Sequence, residues 1–346
     1  MLNRVVIVTS VGSGVGLAVQ QAAALSDLRY HLIGTSSTPV ILSSGQVSIQ
    51  SPHAAKHSDF QNFILNLVEK VGECLLIAGR DEDAAILSDI ALTLASLGGS
   101  LASGPAPAVL ASYDKALTAT TFGRLGLPIA ATASTYENAL QLGRRFGWPI
   151  VLKPRLGNAS KNVRLVEHEH TLFEQFVNEQ DIAQELLAVH QLDRRPWDGS
   201  YFGGQDGEYS IQVLRGRDGA CLAQFASRNT LVLGVPRMVE TIECTEIRYL
   251  LHQVDEILER LDAWGAWNFQ GKRTEANVIK VFEVNARPTG LTGLRAYFGV
   301  NEIDLLFEAL VLGQSVDLPP SPPPGRVIDC TRWSLGMEIG TNERTK

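Results

Sequence analysis

The chain has 346 residues, of which 45% are apolar and 19% charged, and its formal net charge is −7. That length supports two or three domains with cores of their own, and the acidic balance gives no electrostatic reason to expect nucleic acid or an anionic membrane as partner. The cysteines Cys74, Cys221, Cys244 and Cys330 stand far apart, with no CxxC or Cys/His cluster, so neither a zinc site nor a disulfide framework is expected and a reducing, cytoplasmic compartment is.

Met1 to Arg4, Val5 to Val8 and Ala22 to Ala24 together imitate a signal peptide. Gly12, Gly14, Gly16, Gln20 and Gln21 interrupt what should be its apolar region, and a buried first strand with its following helix explains the segment better. No segment reaches the ~20 apolar residues of a membrane-spanning helix. Arg4 to Thr9 reads as a strand, Val15 to Ser26 as a helix and Tyr30 to Gly34 as a second strand. This βαβ start has a Gly-rich turn at a helix N-terminus. The turn is G-x-G-x-G rather than G-x-G-x-x-G, and Gly34 to Ser37 has no acid for a ribose, so a dinucleotide is not expected.

Residues 35–60 are Ser/Gly/Pro-rich and read as loop. Phe60 to Val71 reads as a helix, Cys74 to Ala78 as a strand. Asp81 to Asp83 follow at a strand's C-terminal end, where open α/β sheets place ligands; acids also suit the first turn of the next helix, over Ala84 to Leu97, and capping is favoured over substrate contact. Gly98 to Pro107 marks a domain boundary. Beyond it, Glu137 to Phe146 is a helix, Gly147 to Pro154 and Val163 to Val166 are two strands, and Ile182 to Leu187 is another. Residues 188–205 form an insertion with the aromatic and Arg content of a lid or acceptor loop. A hairpin turns around Arg215 to Gly219, and Ile247, Leu250, Leu251, Val254, Ile257, Leu258 and Leu261 recur at helical spacing.

Trp264 to Gly290 organises the rest. Alternation over 264–271 puts Ala266, Asn268 and Gln270 on one face and Trp267 and Phe269 on the other. Over 278–285 it groups Ile279, Val281, Glu283 and Asn285. A hairpin here would bring Gln270, Glu283 and Asn285 together, a hard-oxygen set suited to Mg²⁺ shared with phosphates. Arg287 follows on the same side, fit to grip a phosphate or carboxylate. Past it, Leu291 to Arg295 reads as turn or strand, Ile303 to Leu312 as a helix, Pro319 to Gly325 as extended linker, and Val327 to Met337 as a returning strand.

Glu283-Val-Asn285-Ala-Arg287, with Gln270 upstream, resembles the metal-binding signature of ATP-grasp enzymes. The branch it resembles contains the carbamoyl-phosphate synthase large subunit. Gly147-Trp-Pro-Ile-Val-Leu-Lys153-Pro154 and Asp114-Lys115 fit the same resemblance, which spans roughly residues 1–315. It implies an α/β chain in which a Rossmann-like domain (1–107) precedes a two-subdomain ATP-grasp α+β fold. The small subdomain is 108–188, the large one with the metal site 189–318, and 319–346 is a Pro-rich linker and tail. It further implies ATP and Mg²⁺ (Mn²⁺ as an alternative), the metal on Gln270, Glu283 and Asn285. Lys115 and Lys153 would meet the phosphates beneath a flap in which Ser160 and Lys161 replace the usual glycines. Gln184, Glu185, Leu186 and Leu187 would read the adenine edge, Glu208 the ribose, and Arg287 or Arg295 would stabilise the tetrahedral intermediate.

The implied activity is a ligase that forms a C–N bond. ATP turns a small carboxylate into an acyl phosphate, an amine takes the acyl group, and ADP and phosphate leave. The partners are small molecules, with a homodimer left open. The alternatives are a single-copy kinase of bicarbonate or carbamate, a nucleotide-binding regulatory protein, and a dehydrogenase.

Overall fold

The computed structural model describes residues 4–40, 42, 46–157, 162–188, 204–232 and 235–330. Ser160, Lys161, residues 189–203 of the insertion and the chain beyond Cys330 lie outside these residues.

Val5–Val8 (β1) is buried throughout, because helices cover both of its faces. Val6 and Val8 meet Val15 and Val19 of Gly14–Ala24 (α1), while Val5 and Ile7 meet Phe60, Ile64 and Val68 of His57–Val71 (α2). A strand covered on both sides needs no alternation, so it reads as a continuous apolar run. His31–Ser36 (β2), Val47–Gln50 (β3), Cys74–Ile77 (β4) and Gly99–Leu101 (β5) complete a parallel sheet in the order β3-β2-β1-β4-β5. The order reverses between β1 and β4, so the loops after these strands flank the crevice where such sheets place ligands.

Two expectations change here. Residues 35–60 are not all loop, since β3 pairs in parallel with β2. Val47, Ser48 and Gln50 are exposed on this edge, so the strand leaves little periodic signal. The helix expected over Ala84 to Leu97 is two, Asp81–Ser88 (α3) and Ala91–Ser96 (α4). The Ser88 hydroxyl bonds back to the Ala85 carbonyl at 2.8 Å, a local bond that competes with helix continuation.

Ser103–Gly104 (β6) leaves this sheet and pairs with Trp264 and Gly265. Ala106–Tyr113 (α5) and Lys115–Arg124 (α6) follow. Thr132–Ala133 (β7), Ile150–Pro154 (β8), Arg164–Val166 (β9) and Asp181–Gln184 (β10) then form an antiparallel sheet in the order β7-β10-β8-β9. Tyr136–Phe146 (α7) and Glu169–Gln175 (α8) pack on it around Ala139, Leu142, Ile150, Leu152 and Leu172.

The third sheet contains Gly204–Arg215 (β11), Cys221–Val232 (β12), Val235–Thr241 (β13), Trp264–Arg273 (β14), Ile279–Asn285 (β15) and Val327–Asp329 (β16). Its order is β15-β14-β11-β12-β13-β16. The returning strand is thus real but short, and it lies within the segment expected to be linker and tail. Thr245–Arg260 (α9) covers one face, where Ile247, Leu250, Val254, Ile257 and Leu258 pack on Trp267 and Phe269. On the other face Leu214, Phe225 and Ala266 share a core with Val6, Val8 and Val19 of the first sheet and its helix. Leu291 to Arg295 is not a strand. Thr292–Tyr297 (α10) is helical and packs on α1, and Glu302–Leu306 (α11) continues into a π-helical turn, Phe307–Val311.

Candidate functional site

The β14–β15 hairpin forms with a bulge. Asn268 faces Asn285, Phe269 faces Val284 and Gln270 faces Glu283, but Gly271 faces Val281, which leaves Phe282 without an opposite number. One extra residue inverts the parity of everything beyond it. Ile279 and Val281 therefore join Val284 and Ala286 in the α9 core, while Glu283 and Asn285 turn to the other face beside Gln270 and Asn268. This corrects the grouping of Ile279 and Val281 with the two polar residues, and it leaves Gln270, Glu283 and Asn285, the trio expected to hold a metal, together. The approach is close, for a Cβ on Gly271 would lie 2.7 Å from the Lys280 carbonyl oxygen.

The face carrying the trio is a polar surface within the fold. Strand β11 adds Glu208, Ser210 and Gln212, opposite Lys272, Gln270 and Asn268. Asn268 is fully buried, and its Nδ2 donates to Ser210 Oγ (3.0 Å) and Gln212 Oε1 (3.0 Å). Asn268 Oδ1 and Gln212 Nε2 have no hydrogen-bond partner among the described residues, so this ladder is a polar floor only partly satisfied from within the chain, and on it stand Gln270, Glu283 and Asn285. Sequence reasoning used Asn268 only for parity and missed Ser210 and Gln212; their alternation along β11 was the available signal.

Lys153 enters from the small sheet. Its Nζ donates to the Phe282 carbonyl at 3.2 Å and lies 5.6 Å from the centre of the Phe282 ring. Gln184 Nε2 donates to Thr132 Oγ1 at 2.9 Å and reaches the same carbonyl at 3.5 Å. The bulged residue is therefore where the two antiparallel sheets meet. Burial pushes the Lys153 ammonium down to about 8; Lys115 adds to the shift and Glu283 opposes it. Burial pushes the Glu208 carboxyl up to about 8, with Glu283 adding and Lys272 opposing. A base and an acid each driven toward neutrality mark a dehydrated polar site.

Around this centre, Asp114 caps α6 and pairs with Arg155 at 2.7 Å. Lys115 Nζ donates to the Gly157 carbonyl at 2.8 Å, so this lysine sits at the base of the flap segment. Glu185 is engaged twice. Its carboxylate accepts from Ala131 N (2.7 Å) and Lys280 Nζ (2.6 Å), and its own N–H donates to the Ala131 carbonyl (2.9 Å). Beyond it Leu186 is exposed and Leu187 half-exposed. Lys280 was not singled out from the sequence, because its partner lies 95 residues away.

The two arginines differ. Arg287 reaches across to the first sheet, where Nη2 donates to Asp81 Oδ2 at 2.5 Å and to Asn285 Oδ1 at 3.2 Å, and Nη1 donates to the Pro288 carbonyl at 3.1 Å. Asp81 occupies the first turn of α3, as expected, and also makes this contact. Arg295 is 1% exposed; it pairs with the fully buried Glu302 and donates to Thr289 Oγ1 at 2.9 Å. Its guanidinium is committed to joining α10 to α11, so the structure does not bring it to the polar face. Among the described residues no group of three His, Cys, Asp or Glu side chains is placed to hold a metal, and a cation here would rest on one carboxylate with amide oxygens.

No family model and no curated protein sequence matches the chain. Solved structures do. The N5-carboxyaminoimidazole synthetase of Staphylococcus aureus complexed with ADP aligns over 94% of this chain and 80% of its own, with TM-score 0.70 and 15% identity. The biotin carboxylase domain dimer of Hydrogenobacter thermophilus 2-oxoglutarate carboxylase, in complex with MgADP, ADP and bicarbonate, aligns over 94% and 73%, with TM-score 0.68 and 13% identity. The Campylobacter jejuni biotin carboxylase in a β-γ-ATP complex aligns over 94% and 74%, with TM-score 0.66 and 13% identity. One parallel and two antiparallel sheets, with a polar face at their junction, thus give this chain the ATP-grasp fold, the fold of biotin carboxylase and N5-carboxyaminoimidazole ribonucleotide synthetase.

Proposed function

We propose that the chain is an ATP-dependent ligase that activates a small carboxylic acid as its acyl phosphate and passes the acyl group to an amine, releasing ADP and phosphate. The observation that carries this reading is the bulge-set face on which Gln270, Glu283 and Asn285 stand together, with Lys153 at the bulge carbonyl. The donor set fits Mg²⁺, which accepts one or two carboxylate or amide oxygens and completes its shell with phosphates and water. Glu283, Asn285 and Gln270 would hold it, and when bound it supplies positive charge against the phosphate oxygens.

The remaining work falls to the chain. Lys153 and Lys115 bring fixed positive charge to the phosphates, and Gln184 to Leu187 with Glu208 hold the nucleoside. Arg287 holds the acid and the charge that develops on it. Such a reaction depends on positioning and electrostatics rather than on a protein nucleophile. A second reading, phosphorylation of bicarbonate, is favoured by the bicarbonate in the 2-oxoglutarate carboxylase neighbour. A homodimer and a reducing compartment belong to the same proposal; all four cysteines are unpaired, and no helix of the described residues is long and apolar enough to cross a membrane.

The test is Mg²⁺-dependent release of phosphate and ADP from ATP over a matrix of carboxylates and amines, with Glu283→Ala as control. Turnover needing one acid and one amine, and lost in the variant, names the substrates. Turnover with bicarbonate alone selects the second reading. Coupled release of AMP and pyrophosphate would falsify both.

A further inference from the structure

We infer that Asp81 stands in for the substrate carboxylate on Arg287 and sets how tightly an acid is held there. The inference rests on the acid-activating reading above.

The argument is a count of donors. A guanidinium grips a carboxylate through one of two forks, Nε with Nη2 or Nη1 with Nη2. Both forks use Nη2, and both protons of Arg287 Nη2 are taken, one by Asp81 Oδ2 and one by Asn285 Oδ1. What remains is Nε, buried without a hydrogen-bond partner among the described residues, and one proton of Nη1. An incoming carboxylate therefore gains a bidentate grip only when one of these oxygens yields. Asn285 is part of the hairpin, opposite Asn268 in its register. Asp81 comes from another sheet and brings the same chemical group as the substrate, a carboxylate.

Its position is well fixed. The chain enters α3 through Gly79, where a Cβ would lie 2.0 Å from the Thr9 carbonyl oxygen. Asp83, two residues on, accepts from Thr9 Oγ1 at 2.7 Å. Of the three acids in this turn, Asp81 is thus the one that bonds across the junction, to Arg287. The Tyr113 phenol, pushed up by burial and then by Glu82, Asp81 and Asp83, reports that negative charge concentrates here. Arg287 is consequently held oriented and neutralised before any acid arrives. An acid exchanges one charge-assisted hydrogen bond for another, so its affinity reflects a difference rather than the full strength of the contact.

The experiment measures occupancy of Arg287 without turnover. Phenylglyoxal modification of Arg287 in the full chain is followed by peptide mass at pH 8 and constant ionic strength, with sodium acetate as the protecting probe. Asp81→Asn keeps an oxygen acceptor but weakens it, and the half-protecting acetate concentration is expected to fall about tenfold. Asp81→Glu, which restores a carboxylate, is expected to return the midpoint toward wild type. That rescue would not follow from a merely structural role. Asp81→Ser is the second variant should Asp81→Asn fail to fold, because Ser also suits a helix first turn.

Equal midpoints in wild type and Asp81→Asn overturn the role given to Asp81. Absence of acetate protection in every protein overturns the acid subsite at Arg287 and the inference with it. Calorimetry of MgATP on the wild type separates these results from failure of the ligase reading, which would appear as no nucleotide binding at all.

Discussion

Lys153 lets the electrostatics of the site be tested on stability alone. The side chain is buried, and its ammonium is pushed down from 10.5 to about 8. Roughly 2.5 pH units at ~1.36 kcal/mol each place the burden of keeping that buried charge at about 3 kcal/mol. At pH 7 the group remains about 90% protonated, so the burden is present. Lys153→Met keeps most of the stem and removes the charge. It loses the hydrogen bond to the Phe282 carbonyl and the contact with the Phe282 ring, about 1 kcal/mol each. The variant is therefore expected to be more stable than wild type by about 1 kcal/mol at pH 7. The folded state binds fewer protons than the unfolded state between pH 8 and 10.5, so wild-type stability rises with pH through that window. The advantage of the variant is full below pH 8, is lost part-way through the window, and becomes a deficit of about 1 kcal/mol toward 10.5, where the burden is gone and the lost hydrogen bond to the Phe282 carbonyl remains. Urea unfolding of both proteins at pH 7, 9 and 10.5 reads the difference directly. A variant less stable than wild type at pH 7, or a difference that does not change with pH, refutes the reasoning.

Other substitutions test other parts of the site. Glu208 is raised to about 8 by burial, so the folded state holds its proton to higher pH than the unfolded state, and wild-type stability falls between pH 4.5 and 8. Glu208→Gln removes that loss and is expected to gain on the order of 5 kcal/mol at pH 9, measured by urea unfolding. Lys280→Ala strands the nearly buried Glu185 carboxylate and should destabilise by about 2 kcal/mol, with Glu185→Gln recovering most of it in a double-mutant cycle. Gly271→Ala drives a methyl into the Lys280 carbonyl; a loss of about 2 kcal/mol is expected in thermal unfolding, and a neutral result would show that the bulge is not tight. Arg295→Met leaves Glu302 buried and unpaired, for a loss of about 4 kcal/mol. Arg295→Met with Glu302→Leu should return close to wild type, as a structural pair would and a substrate-binding arginine would not.

The parts of the site legible in the sequence were those carried by short-range patterns. The apolar run of β1, the helical recurrence along α9 and the alternation of Trp264 to Gln270 each depend on neighbours within one element, and each formed. Gln270 facing Glu283 also followed, because a tight turn joins their strands. The bulge at Phe282 was not read, although the sequence carries a signal for it. It moves Ile279 and Val281 to the α9 face, and the apolar phase shifts from odd at Ile279 and Val281 to even at Val284 and Ala286 across the Val281-Phe282 doublet. The contacts of Arg287 with Asp81, Lys280 with Glu185 and Lys153 with the Phe282 carbonyl were hidden. Each joins different sheets and is decided by how the sheets dock. Arg295 shows the same limit from the other side. Its chemistry suited the site, and only the packing of α10 on α11 assigns it to Glu302.

The cores show how the docking divides. Val6, Val8 and Val19 of the first lobe share one apolar core with Leu214, Phe225 and Leu294. The parallel sheet and the large antiparallel sheet therefore cannot separate without exposing a common interior. The small sheet has a core of its own. Polar contacts hold it to the rest: Lys153 and Gln184 on the Phe282 carbonyl, Glu185 on Lys280, Arg155 on Asp114 and the Gly157 carbonyl on Lys115. A bridge beside Ile129 and Val281 adds backbone bonds, Val281 N to the Pro128 carbonyl and Ala130 N to the Val281 carbonyl. Polar contacts exchange with water at a small net free-energy difference, whereas a shared core does not. The proposed metal face, Arg287 and Lys115, whose helix α6 buries Phe122 in the α9 core, thus belong to a fixed body, and Lys153 and the Gln184 to Leu187 segment belong to the part that has a core of its own. The bulged Phe282 is the common attachment point. One inserted residue in β15 sets the parity that turns Glu283 and Asn285 to the polar face beside Gln270, and it also supplies the carbonyl that brings Lys153 to them.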